Sequence, residues 1–211
     1  MINWKLFLKI NPVKSVLYSL RSNGIVLVGW GSKIFMGKDS KIVFSKNRTP
    51  LYIGVNFNYP VPTIVDIHDK GRMIVGKSVY LNRGCKIVVG KGAQLKIGSN
   101  SFLNENSRLH CRLSVSIGEK CAISWNVNIL DTDEHGIYSN GNLLNENKPV
   151  KIGSNVWIGA NSTILRNTQI EDNCIIGANS LVKGKLSGNT IYAGNPLQAI
   201  KEFEYWGKMR H

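Results

Sequence analysis

Acidic residues are scarce in this chain: 13 Asp and Glu stand against 27 Lys and Arg, a formal charge of +14 over 211 residues. No apolar run reaches the roughly 18 residues that a bilayer-spanning helix needs. The opening stretch "MINWKLFLKINPVKSVLYSL" has scattered lysines and no small-residue cleavage site, so it reads poorly as a signal peptide. A cytoplasmic location is therefore expected. The four cysteines, Cys85, Cys111, Cys121 and Cys174, show no CxxC spacing and do not form a familiar zinc pattern; core filling is their expected role. With 43% hydrophobic and 19% charged residues, the composition is that of one globular domain rather than a disordered segment.

The positive charge is unevenly spread. Residues 1–50 hold nine Lys/Arg and one acidic residue, residues 51–130 hold ten and four, and residues 131–211 hold eight of each. The excess lies wholly in the first 130 residues, which suggests an anionic partner there: a membrane surface, a phosphorylated lipid carrier or an acidic polysaccharide. General solubility is the plainer account.

A period of six organises the chain. Ile152, Ile158, Ile164, Ile170, Ile176 and Val182 open successive hexads, and the fifth slot holds Val156, Ser162, Thr168, Cys174 and Ser180. The register extends upstream through Ile117, Ile123 and Ile129, through Ile97, Leu103 and Leu109, and through Val75, Leu81 and Ile87. A helix repeats at 3.6 residues and a strand at two, so a strict six implies short strands joined by tight corners. This is the pattern of a parallel β-helix, an all-β solenoid whose coils bury a continuous core. At three hexads per coil, Gly159 stacks beneath Gly177, Ala160 beneath Ala178 and Ser162 beneath Ser180, making a groove with little side-chain bulk.

Helices are expected at both ends. Asn11 can cap a first helix with Pro12 at its first position, and Asn23-Gly24 can end it. Val13, Val16, Leu17 and Leu20 form its apolar stripe, expected to pack on its own domain or on a neighbouring subunit, with a membrane-surface role as the alternative. Asn195 and Pro196 offer the same cap and first residue for a short C-terminal helix.

Residues 150–201, with "VWIGANSTIL", "IIGANSLV" and "AGNPLQAIK", resemble the C-terminal coils of the hexapeptide-repeat acetyltransferases. The tract "NILDTDEHGIYSNG" is most similar to the branch that O-acetylates capsule, O-antigen or other surface polysaccharide. The resemblance implies a left-handed β-helix over 25–194 with an excursion loop at 131–149, a helical arm over 1–24, and a C-terminal helix and tail over 195–211. It implies acetyl-CoA as co-substrate, a sugar or polysaccharide acceptor, and a homotrimer with sites between subunits. His135 falls where the family has its catalytic base. Asn126 matches the asparagine that touches acetyl donor and acceptor, with Trp125 in place of the usual proline. Ala160 and Ala178 match positions along the pantetheine arm, and Lys183 and Lys201 fall near those meeting the distal phosphates. In "LVKGKL" the usual threonine–lysine pair is shifted, which makes Lys185 an alternative to Lys183. Gln198 replaces a common basic residue.

Acetyl transfer needs a base for the acceptor's proton, a donor for the developing oxyanion and a groove that aligns the thioester. A histidine with its ordinary pKa of about 6.5 suits the first role. In an extended segment Asp133 lies on the same side as His135 and Glu134 points away, so Asp133 is the expected orienting carboxylate, with Asp131 as the alternative. His110 is expected to point outward, His68 to sit in a turn, and His211 is terminal. The histidines lack the pairing that a zinc site of this fold needs, and no metal is expected. Trp125 and Tyr138 are candidate sugar-stacking residues. Two other readings keep the fold: an acetyltransferase for a nucleotide-sugar amine or small metabolite, and a non-catalytic binding module. Charge alone suggests nucleic acid, and no motif supports it.

Overall fold

The computed structural model describes residues 8–45, 49–55 and 61–207. His211 and the first seven residues of the expected arm lie outside the described residues.

Strands of two to four residues wind around three faces and pair in parallel with the coils before and after them; with one antiparallel strand at the C-terminal end they build sheets of nine, seven and seven strands. The coil is a left-handed parallel β-helix. The first slot of each hexad forms the core columns. Ile123, Ile158 and Ile176 stack on the first face, Ile129, Ile164 and Val182 on the second, and Ile117, Ile152, Ile170 and Leu186 on the third. All of these are buried.

The fifth slot is small for two reasons. It lies inside the corner, and its hydroxyls stitch one coil to the next. Ser101 Oγ donates to the Gly118 carbonyl at 2.8 Å and accepts from the Cys121 amide at 2.9 Å; Ser107 does the same with Ser124 and Val127 at 2.8 and 3.1 Å. The cysteine thiols are buried, and burial pushes Cys85 and Cys111 up to about 12 and Cys121 to about 11. At neutral pH they are inert thiols filling space.

The fourth slot carries a signal that the aliphatic pattern hides. Asn100, Asn106, Asn126, Asn155, Asn161, Asn167, Asn173 and Asn179 all adopt left-handed φ of 55–63°. Asparagine tolerates that conformation because its short amide bonds locally, so each marks a corner.

From Val65 onward, insertions fall at one edge of the prism, between the second and third faces. From Val65 to Val75 and from Ile87 to Ile97 the step is ten residues; from Leu109 to Ile117 it is eight, and from Ile164 to Ile170 six. From Ile129 to Ile152 the same step is 23 residues, and this is the excursion. The loop that interrupts the repeat thus leaves from an edge already widened in the coils beneath it.

The N-terminal end is covered by helix α1, Pro12–Leu20, whose cap Asn11 accepts from the Lys14 amide at 3.0 Å. The expected packing of its apolar stripe against its own domain does not occur: Val13, Val16, Leu17 and Leu20 are exposed, and Ser15 is the buried helix residue. The first strand, Val26–Val28, explains why. It is a sheet edge, and its Val26 and Val28 amides donate to Ser19 Oγ at 2.9 Å and Ser15 Oγ at 3.0 Å. Open backbone groups need acceptors that an aliphatic face cannot supply.

The expected C-terminal helix does not form. Gln198–Glu202 is a strand antiparallel to Thr190–Ala193, across a turn with a cis Asn195–Pro196 peptide. Here too the edge of the last coil needs partners, and the hairpin supplies them. Trp206 pins the tail, donating from Nε1 to the Asn155 carbonyl at 2.7 Å with its ring 6.0 Å from that of Trp157.

Leu109 is fully buried between Ile87 and Ile129. Leu109→Ala should therefore cost about 2–5 kcal/mol in a urea titration, with no change in the strand signature by circular dichroism.

Candidate active site

The excursion begins at Asp131, which is buried and closes the coil beneath it. Its Oδ1 accepts from the Arg112 amide at 2.7 Å, and its Oδ2 accepts from the Leu113 and Ser114 amides at 2.8 and 2.7 Å. These three N–H groups belong to the widened corner of the previous coil. Asp131 is thus fully employed there and does not orient His135.

Beyond it the chain turns rather than extends. Glu134 adopts φ 58°, its amide donates to Thr132 Oγ1 at 3.0 Å, and the His135 amide donates to the Asp133 carbonyl at 2.7 Å. The extended geometry that favoured Asp133 as orienter is absent. The Asp133 carboxylate instead accepts from Arg166 Nε at 2.7 Å and Asn145 Nδ2 at 3.0 Å. These hydrogen bonds, with Lys183 nearby, hold its carboxyl below the usual carboxylate range. Glu134 points away from His135 into a fork with Arg112, two bonds of 3.0 Å, and lies 3.3 Å from His110 Nδ1. The Arg112 bond holds Glu134 low as well.

Asn145 organises the rest of the loop. It is buried, accepts from the Ile137 amide at 2.6 Å, and donates to Asp133 and to the His135 carbonyl at 2.7 Å. Between Ile137 and Asn145 a hairpin pairs Tyr138–Ser139 with Asn142–Leu143 around Asn140-Gly141, both with positive φ. That is the Asn-Gly turn of a tight hairpin, a signal legible in "YSNGNL". The roles of Asn145, Arg112 and Arg166 had no such local signal, because their partners are remote in sequence.

The outcome is an exposed His135 whose backbone is pinned on both sides. Its ring has no hydrogen-bond partner among the described residues. It borders a cavity of about 290 Å³ with Arg112, Glu134, Tyr138 and Asn145. A larger cavity of about 570 Å³ lies lower on the solenoid beside Phe35, Met36 and the Asp66–His68 pair, away from these groups.

The candidate residues divide between two edges. Lys183 lies on the His135 edge, above Asp133, and Lys185 begins the adjoining third-face strand Lys185–Leu186. Asn126, Ala160 and Ala178 share the edge between the first and second faces. There Asn126 Nδ2 donates to Asn161 Oδ1 at 3.1 Å, and the Asn179 amide donates to the Ala160 carbonyl at 2.9 Å. The stretch from Asn126 to Asp131 crosses the second face, so Asn126 and His135 are about 15 Å apart along the strand direction of one subunit. Lys201 sits on the terminal hairpin, paired with Ile191. Trp125 is exposed beside Asn126, and Trp157 donates to Ser124 Oγ at 3.2 Å.

The corner where Gly159 and Ala160 stack on Gly177 and Ala178 carries little side-chain bulk, and the next edge presents His135 on its loop. The family described as "Bacterial transferase hexapeptide (six repeats)" matches residues 149–184. The galactoside O-acetyltransferase of Escherichia coli (strain K12) is 34% identical over 114 residues, covering 53% of this chain and 55% of that protein. The polysialic acid O-acetyltransferase of Neisseria meningitidis is 34% identical over 144 residues, covering 67% and 59%. The crystal structure of the polysialic acid O-acetyltransferase OatWY superposes with a TM-score of 0.61 at 25% identity, covering 90% of this chain and 92% of that one. The chain thus carries the hexapeptide repeat of the bacterial transferases over residues 149–184, and the relatives and the neighbour quoted are O-acetyltransferases. It spans little more than half the length of the curated relatives quoted.

The depressed carboxyls fix the sign of a pH effect. Asp133 and Glu134 stabilise the loop while they are ionised, and that contribution is complete above the unfolded carboxylate values of about 4. It is lost as pH falls through the lower folded values. Protection factors for amide exchange, taken against the intrinsic rate at each pH, should therefore fall across residues 131–149 below about pH 4 before those of the core columns do.

Proposed function

We propose that this protein transfers the acetyl group of acetyl-CoA to a sugar hydroxyl of a surface polysaccharide or its precursor, with His135 as general base. The observation that carries this reading is the free imidazole of His135, held by backbone contacts beside an open polar cavity. The acceptor hydroxyl gives its proton to the imidazole as its oxygen forms a bond to the thioester carbonyl carbon. The C–S bond then breaks, and the CoA sulfur leaves with the proton returned by the imidazolium.

Supporting roles follow from that reading. Hydrogen bonds from the Asn145 amide to the His135 carbonyl and from the His135 amide to Asp133 aim the ring, in place of a carboxylate on the imidazole. The low side-chain bulk at Gly159, Ala160 and Ala178 supports this edge as the path of the pantetheine arm. On the same reading Lys183, with Lys185 and Lys201, meets the phosphates. Because groove and base lie on neighbouring edges of one subunit, a complete site joins the groove edge of one subunit to the His135 edge of the next, in a homotrimer.

His135→Ala should bind CoA like the wild type by calorimetry and lose about 10²–10⁴-fold in kcat against a panel of sugar and polysaccharide acceptors. Absence of CoA binding by either protein would overturn the reading. Co-expression with Ala160→Trp, which blocks the groove, tests the shared site: randomly mixed trimers should regain about a quarter of wild-type activity. Trimers with sites inside one subunit would regain none.

Asn126 needs a sharper test, because its left-handed corner already explains an asparagine there. Asn126→Gly keeps the corner conformation and removes the amide. It should lower kcat while leaving the urea midpoint unchanged, whereas a purely architectural residue would leave both unchanged.

A further inference from the structure

Helix α1 is oriented inside out for a soluble domain. Its serines face the protein, where Ser15 and Ser19 receive the amides of the first strand. On the opposite side, Val13, Val16, Leu17 and Leu20 recur at i, i+3, i+4 and i+7 and stay exposed, Val13 at 75% and Leu20 at 80%. The helix region covers the end of the prism. Tyr18 Oη donates to the Ile34 carbonyl of the second face at 2.6 Å, and Asn23 Oδ1 accepts from the Phe44 amide of the third at 2.8 Å. The outward stripe therefore points along the solenoid axis, away from the coils. Leu8, Ile25 and Trp30 are exposed at the same end.

The surroundings are basic. Residues 8–45 contain Lys9, Lys14, Arg21, Lys33, Lys38 and Lys41 against one acidic residue, Asp39. A basic rim around an apolar helical face suits an anionic bilayer, where aliphatic side chains enter the acyl boundary and lysines meet phosphates. Charge also decides against a second copy of the chain: end-to-end pairing would set six bases against six bases around a desolvated apolar contact.

We propose that this end of the solenoid is a membrane-docking surface for anionic lipid, with the coil axis standing away from the bilayer. The inference stands apart from the acetyl-transfer reading, and its functional consequence joins the two. His135 lies four coils above the first, about 19 Å at a coil spacing of about 4.8 Å. A glycan growing from a lipid carrier would reach the site at that height. In the proposed trimer, threefold symmetry sets three such ends at one level, so that weak single contacts add.

Co-sedimentation of the full chain with phosphatidylcholine vesicles, with and without phosphatidylglycerol, tests this directly. Wild-type protein should pellet with the anionic vesicles at low salt and not with phosphatidylcholine alone. Leu17→Gln/Leu20→Gln preserves helix propensity and net charge, and Lys33→Gln/Lys38→Gln/Lys41→Gln preserves the stripe. Each should weaken binding at least about tenfold. Both should keep the wild-type melting temperature and CoA affinity, readouts on which the acetyl-transfer reading stands or falls by itself. Wild type that stays soluble with anionic vesicles, or a double variant that binds as well as wild type, overturns the proposal. So does a concentration-dependent doubling of mass in light scattering that Leu17→Gln/Leu20→Gln abolishes, because it would make the face a contact between copies.

Discussion

Every coil of this protein borrows its backbone hydrogen bonds from the coils above and below, and that dependence shapes the rest. Between coils the debt is settled by parallel pairing, with one aliphatic column on each face and corner hydroxyls tying one turn to the next. At the ends there is no next coil. The first strand turns to two serines of a helix and the last to an antiparallel hairpin. The C-terminal ending departs from its cap signal and the N-terminal helix turns its polar face inward for one reason: an open strand edge must find partners.

The same dependence locates the chemistry. A coil interior cannot absorb extra residues without breaking columns on three faces, so additions collect at a corner. From Val65 onward they collect at one corner, and the longest of them carries His135. Asp131 lets the chain leave the coil without orphaning the three amides beneath it. It is the hinge between scaffold and loop, which is why it is buried where an orienting carboxylate would need to reach the imidazole. The Asp133–Arg166 and Glu134–Arg112 pairs then anchor the turn to the coils on either side.

The legibility of the sequence followed the range of the forces involved. The aliphatic columns repeat every six residues, so the solenoid, its register and the place of its interruption could be read directly. His135 stood out because it sits in that interruption. The direction of Asp133 is not legible, because Thr132 and Glu134 make a turn where the local pattern reads as extended. Arg112, Asn145 and Arg166 escaped notice because each acts through a partner that only the coiling brings near. Helix α1 is legible from Asn11 and Pro12, yet the direction of its apolar face depends on a strand edge that no helical wheel displays.

Equal coil spacing makes the solenoid a ruler. Adding or removing one complete 18-residue coil between the excursion and the terminal hairpin would leave the columns intact and move Lys201 relative to the groove by a single strand spacing, about 4.8 Å. An 18-residue coil inserted below Ile117 would instead raise His135 by that increment and leave the groove-to-lysine distances alone. Reach toward the acceptor and fit to the donor are thus set by separate stretches of the rod, each adjustable in whole turns.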